Sequence, residues 1–411
     1  MKRLVSLLLA LVLAVMMMPG AAAAGDEAMA AADALNALGL FSGTGTDGAG
    51  RPIYDLGRQP TRQEAITMLV KLVGGAQESS KGGWNTPFTD VDDWARNWVG
   101  YAYAKGLTAG TSATTFGAND KTTAAQYLTF ILKALGYDAT SDFSWDKAWD
   151  LSDRIGLTGG EYGPQSTFTR GDMAILSNRA LDIKMKGETK TLRAVLVEQG
   201  ALKPVKVSIG IPMLETVDHT DNALTRWIEE QTGYKLEFTF FLSGTREWRT
   251  QVETMLGSGQ PAPDLLYGTV LYGEVRCAFG EYGKLMDLMP WFNSEMVMNR
   301  YDFREQAARY YPGTALDRLL YLGQAANNGL YGFPCIRVTG EEVQYGAYIP
   351  SSSKHPEAAF QILMLLSGRE GAARVRYGQP GEDWVWDGEA IRVLNDGAFT
   401  GKTKTTWGII G

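Results

Sequence analysis

The sequence predicts two units of different fold class, an all-helical one followed by an α/β one. Three observations predict it. Helix pairs recur over the first half of the chain. The hydrophobic periodicity changes near Pro204 from helix pairs to alternating strand and helix. The composition, 45% apolar and 21% charged over 411 residues, suits a folded chain of two or three domains.

Residues 1–24 read as a secretory signal: Lys2 and Arg3, an apolar run over 4–18, and small residues at 21–24 for cleavage. The run is shorter than a membrane span, and no later stretch reaches that length. No Cys lies near the cleavage site, so no lipid anchor is expected. A secreted chain of this kind either diffuses away or holds the wall by itself.

The clearest helix pair covers residues 88–136. Its first helix is expected to start at Asp92 or Asp93, acids suited to the positive end of a helix. Trp94, Trp98, Val99 and Ala102 share a face, and Gly106 is the stop. The second helix has Thr123 as N-cap and Gln126 three positions on, a capping-box pair. Its apolar stripe is Leu128, Ile131, Leu132 and Leu135, and Gly136 ends it. So small a pair cannot bury its apolar face alone, which predicts copies. Thr61-Arg62-Gln63-Glu64 and Thr169-Arg170-Gly171-Asp172 align with Thr123-Ala124-Ala125-Gln126 without a gap. A basic residue keeps its place at Lys71, Lys133 and Arg179. The first helices end alike, at Leu38-Gly39-Leu40, Lys105-Gly106-Leu107 and Ile155-Gly156-Leu157. Three degenerate repeats are expected, over 25–87, 88–138 and 139–184.

The Phe88-Thr89-Asp90-Val91 opening, the Gly106-Leu107-Thr108-Ala109-Gly110 turn, Phe116 and the Thr-Arg-x-Glu helix start resemble the S-layer homology domain of bacterial surface proteins. The resemblance implies an all-helical three-repeat module that binds pyruvylated secondary cell-wall polysaccharide without a covalent bond. Thr61, Arg62, Glu64, Asp90, Trp94, Thr169 and Arg170 are the candidate polymer-binding residues. The second repeat departs from the pattern with Ala124 in place of Arg, the first lacks the Phe-x-Asp opening, and the third has Asp172 for Glu.

Charge limits how such a polymer can be held. The formal net charge is −7, which argues against a nucleic-acid partner. The repeat region alone has 14 basic and 19 acidic residues, so its overall field repels an anionic polymer. Recognition falls to placed groups. Arg62 and Arg170 each sit one position into a helix, where backbone N–H groups also favour an anion. A guanidinium fork matches a carboxylate such as a pyruvyl ketal bidentately. The plainer reading is that both are solvated first-turn residues. Trp94 and Trp98 are core or sugar-stacking groups, with core expected for at least one.

Residues 185–203 read as a connector with a short helix over 191–199. Beyond it, strands are expected at 205–211, 235–241 and 264–267, with helices over 222–232 and 245–256. This order predicts a parallel sheet with ligands beyond the strand carboxyl ends, at 212–218, 242–245 and 268–272. Glu215, His219, Tyr267, Tyr272 and Trp291 are the candidate solute contacts, the aromatics as stacking faces.

This half resembles the extracellular solute-binding proteins of carbohydrate-type ABC importers. The likeness is carried by Met255-Leu256-Gly257-Ser258-Gly259 with Pro263-Asp264-Leu265-Leu266, by Gly283-Lys284-Leu285-Met286-Asp287-Leu288, by Leu330-Tyr331-Gly332-Phe333-Pro334, and by Ser353-Lys354-His355-Pro356-Glu357. It implies a periplasmic-binding-protein-like α/β lobe, a sugar or oligosaccharide ligand and an importer permease as partner. About 208 residues are too few for two lobes, so the second lobe is expected to be incomplete, in either a reduced, one-lobe relative or a fragment.

Catalytic chemistry is thinly represented. Only two histidines, His219 and His355, occur, which gives little support to a triad or a multi-His metal site. Glu229-Glu230 and Glu341-Glu342 read as solvated pairs rather than a glycosidase pair. No cofactor or metal is expected. Cys277 and Cys335 either bridge or remain thiols. The favoured reading is a wall-anchored, non-enzymatic solute-binding protein. The alternative is a structural surface protein whose C-terminal region no longer binds solute; a surface hydrolase ranks last.

Overall fold

The computed structural model describes residues 19–213, 217–242, 245–269, 279–280, 282–292, 294–301, 346–388 and 390–395. The chain divides into two compact units. One runs to Glu188 and includes Gln199–Lys203; the other comprises Thr189–Glu198 and the chain from Pro204 onward.

In the first unit the helices are α1 (Pro19–Ala37), α2 (Arg62–Leu72), α3 (Ala76–Ser80), α4 (Arg96–Ala104), α5 (Ala124–Ala134), α6 (Ala148–Arg154) and α7 (Arg170–Leu181). Short 3-10 turns at Asp93–Ala95 and Trp145–Lys147 precede α4 and α6. The unit is not wholly helical: β1 (Gly45–Thr46) and β2 (Pro52–Ile53) form a two-residue antiparallel hairpin.

Local chemistry repeats three times. Thr61, Thr123 and Thr169 each cap a helix, with Glu64, Gln126 and Asp172 completing the reciprocal capping box. Gly39, Gly106 and Gly156 adopt φ of 73°, 70° and 68°. The following residue bonds back five positions each time: Leu40 to Leu35, Leu107 to Ala102 and Leu157 to Ser152. That is the left-handed helix stop glycine permits.

Packing joins these pieces in a ring. The first helix of each pair lies on the second helix of the preceding pair, α4 on α2 and α6 on α5, and α1 on α7 closes the circle. The capped helices α2, α5 and α7 meet inside, burying Ile66, Leu69, Leu128, Ile131, Leu176 and Ala180. Around α4 the buried face runs through Ala95, Val99 and Ala102. Trp98 is only half-buried and Trp94 is 53% exposed, so the expected core role falls to neither. Trp94 lies in the 3-10 turn, where Ala95 is the buried residue.

In the second unit, α8 (Leu192–Glu198) precedes β3 (Val205–Pro212), α9 (Ala223–Thr232), β4 (Tyr234–Phe241), α10 (Thr245–Ser258) and β5 (Leu265–Thr269). Then come α11 (Met289–Phe292), α12 (Glu295–Arg300), β6 (Gly346–Tyr348), α13 (Pro356–Ser367), α14 (Arg369–Tyr377) and the hairpin β7 (Trp384–Asp387) with β8 (Ala390–Val393). The main sheet has the order β4-β3-β5-β6. The first three strands are parallel; β6 adds antiparallel to β5. Val207, Ile209 and Ile211 face a core shared with α9 and α13. Trp248 and Val252 of α10 pack with Phe241 and Leu266 in a second core.

Two segments far apart in sequence meet at Asp264. Its Oδ2 accepts the Ser208 N–H at 2.8 Å and hydroxyl at 2.6 Å. Its Oδ1 accepts the N–H groups of Lys354 and His355 and the Ser353 hydroxyl, at 2.8–3.0 Å. Asp264 thus fixes β5 against β3 and the start of α13. Burial opposes ionisation, but this set of donors holds its carboxyl below the usual range.

The helix inside the 185–203 segment is no free connector. The Thr191 N–H donates to Gln231 O at 3.0 Å, and Gly233, at φ 73°, backs onto Ala194.

Candidate functional site

The N-terminus of α2 abuts the loop that leads into α5. The Arg62 and Gln63 N–H groups donate to the carbonyls of Asp120 and Ala118 at 2.9 and 3.2 Å. The N-terminus of α7 meets the loop before α2 in the same way, Arg170 and Gly171 donating to Arg58 and Leu56 at 2.8 and 2.9 Å. Each junction, hereafter the α2 or α7 groove, carries an arginine at its helix start. Arg62 lies over the Phe116 ring at 5.1 Å, and Arg170 over Phe41 at 4.9 Å.

The two arginines then differ. Arg170 is 5% exposed and fully engaged. Its Nε donates to Tyr54 O at 2.9 Å, Nη1 to Glu64 Oε1 at 2.8 Å and Nη2 to Ser42 O at 3.4 Å. It is a structural cross-link here, because the carboxylate a ligand would offer it is already supplied from within the chain by Glu64. Arg62 is half-buried, and its Nε has no hydrogen-bond partner. Among the described residues its guanidinium makes no ion pair, though the Asp120 charge acts on it. An arginine remains charged in such a setting.

Glu64 lies between two cations. It accepts from Arg58 at 2.6 and 2.9 Å as well as from Arg170, and caps the Thr61 N–H at 2.8 Å. Burial pushes its carboxyl up, but the Arg58 bond, the Thr61 N–H and the Arg170 charge bring it down to about 2. Thr61, Glu64 and Thr169 therefore serve as caps and cross-links. Asp90 does likewise: its carboxylate accepts the N–H groups of Phe116, Gly117 and Ala118 at 2.7, 2.8 and 3.1 Å. It holds the loop that carries Phe116 and Asp120. Trp94 stays open to solvent on a turn tied to α2, where Gln63 donates to Asp92 at 2.6 Å. Phe116, Asp120, Arg58 and the Gln63–Asp92 pair are the groove residues missed from sequence. A signal existed in the alignment, since Arg58 and Asp120 stand three positions before their capping threonines.

Of the expected solute contacts, His219, Tyr267 and Trp291 lie among the described residues. Glu215 and Tyr272 lie outside the described residues, as do Cys277, Cys335 and the 330–334 segment. His219 is buried beneath Phe238 and Phe240, with ring centroids 6.0 and 5.3 Å away. Trp291 packs edge-on to Phe360 at 4.6 Å, and Tyr267 is half-buried against the same core. Tyr267 and Trp291 are partly buried against the core that α9 and α13 share with the sheet, whereas His219 is buried against β4. A surface cleft of about 400 Å³ instead lies between β4 and α10, lined by Phe240, Thr250, Gln251, Thr254 and Gln260 among others. Among the described residues there is no cluster of metal-ligating side chains.

Residues 87–128 match the S-layer homology domain. A cell surface protein of Thermoanaerobacter kivui is 32% identical over 149 residues, covering 34% of this chain and 19% of that protein. An endoglucanase of Bacillus sp. is 32% identical over 131 residues, 28% of this chain and 14% of its own. Two further relatives, from Brevibacillus, are named as middle cell wall protein and surface layer protein. The chain spans under a fifth of the length of these curated relatives. An N-glycan transport solute binding protein from Streptococcus pneumoniae shows a slight likeness, with 12% identity and a TM-score of 0.29 over 50% of this chain and 77% of that one. The domain and the surface-protein relatives make this a secreted protein of the cell wall and surface layer. No helix among the described residues is long and apolar enough to cross a membrane.

Proposed function

We propose that the three helix pairs form one S-layer homology module that holds pyruvylated secondary cell-wall polysaccharide at the α2 groove. The observation that carries this is Arg62, whose guanidinium is unpaired among the described residues beside the loop at 116–120 of the matched segment. A ketal carboxylate would pair with the unpaired guanidinium, with Trp94 offering an exposed ring to a sugar face. The second unit presents a solute-binding α/β domain for a neutral sugar destined for an importer. The parallel β4-β3-β5 arrangement and the uncharged amides and hydroxyls beside Phe240 support that reading. Co-sedimentation with purified walls tests the anchoring. Arg62→Ala is expected to release the protein at unchanged thermal stability, and full retention of the variant on walls would rule the assigned role out.

A further inference from the structure

The two arginine grooves share a plan but differ at two places: Asp120 stands at the α2 groove where Arg58 stands at the α7 groove, and the neighbouring helix supplies a different third residue. At the α7 groove that residue is Glu64, third in α2, and it takes Arg170. At the α2 groove the corresponding residue is Gln126, third in α5. Its amide is neutral, and its oxygen is spent on the Thr123 N–H at 3.0 Å. Nothing else in the capping box changes, since both residues complete the same reciprocal pair. At the third junction, α5 begins with Ala124 and has no arginine to offer.

We propose that this third helical position decides which groove accepts an outside carboxylate, so that the module has one such site. Glu64 acts as a built-in ligand: tethered beside Arg170, it competes at an effective concentration that no exposed polymer carboxylate matches. Gln126 leaves Arg62 to the polymer. The proposal rests on the anchoring reading above and goes beyond it by assigning the selectivity to Gln126 and Glu64, which need not touch the polymer.

The test is isothermal titration of the full chain with soluble pyruvylated polysaccharide released from walls, alongside wall co-sedimentation. Wild type is expected to bind one carboxylate-bearing repeat unit per chain. Gln126→Glu should pair with Arg62 and lower affinity at least tenfold, as Arg62→Ala does. Glu64→Gln keeps the cap, as Gln126 shows, and should add a second, weaker site. A Gln126→Glu protein that binds like wild type while Arg62→Ala does not overturns the selectivity but leaves the anchoring standing. Two sites in wild type also overturn it. Failure of wild type to bind either walls or soluble polymer overturns the anchoring reading itself, and the selectivity with it.

Discussion

Arg170 Nη1 donates to Glu64 Oε1 at 2.8 Å across 106 positions of sequence, which ties the third helix pair to the first. Breaking a buried pair by removing one partner leaves the other uncompensated. Arg58 remains with Glu64, which softens the loss. Arg170→Ala is expected to destabilise the first unit by about 3 kcal/mol, seen as a lower urea midpoint. An unchanged midpoint would mean that Arg170 is not the cross-link described.

The same carboxylate sets an acid limit. Its pKa is depressed in the folded state, from an ordinary value of 4.5 to about 2. Its contribution is therefore present in full above about 4.5 and is lost as pH falls toward 2. Glu64→Gln should flatten the pH dependence of thermal unfolding in that window, with little change at pH 7 beyond the lost ion pairs. An equally steep acid loss in the variant would assign it to other groups.

Asp90 gives a contrast between binding and scaffold roles. Asp90→Ala strips three backbone donors at 116–118 of their acceptor, and Phe116 is fully buried. The expected cost is about 2 kcal/mol, with faster amide exchange at 116–118. Wall binding should weaken only as the Phe116 loop loosens, and should recover with added osmolyte.

The caps and stops of the helical unit were legible because they are local: a Thr, an acid or amide three positions on, and a Gly at the end. The strands of the second unit were legible for the same reason, each alternating over a few residues. The fate of Arg62 and Arg170 was not, because identical positions acquire different partners through Gln126 and Glu64. Nor was the burial of His219 against β4 or the packing of Trp291 on Phe360, which depend on segments arriving from elsewhere in the chain. Asp264 shows the converse: two short segments read separately from sequence converge on one carboxylate.

Asp264 makes that convergence testable. Asp264→Ala leaves donors on Ser208, Ser353, Lys354 and His355 facing an apolar gap, at an expected cost of about 3 kcal/mol. The second unit should lose its near-ultraviolet signal at lower denaturant, while the first unit keeps its midpoint.

Gly233 tests whether α8 belongs to the second unit. It ends α9 in the left-handed region at φ 73°, and a Cβ there would lie 2.7 Å from the Ala194 nitrogen. Alanine must meet two penalties: a left-handed conformation, at about 1–2 kcal/mol, and a clash relieved only by moving α8. In the full chain, Gly233→Ala should speed amide exchange over Leu192–Glu198 and lower the unfolding temperature of the second unit. Exchange in α2, α5 and α7 should not change. If α8 were a free connector its exchange would already be fast, and the substitution would alter only the α9 stop.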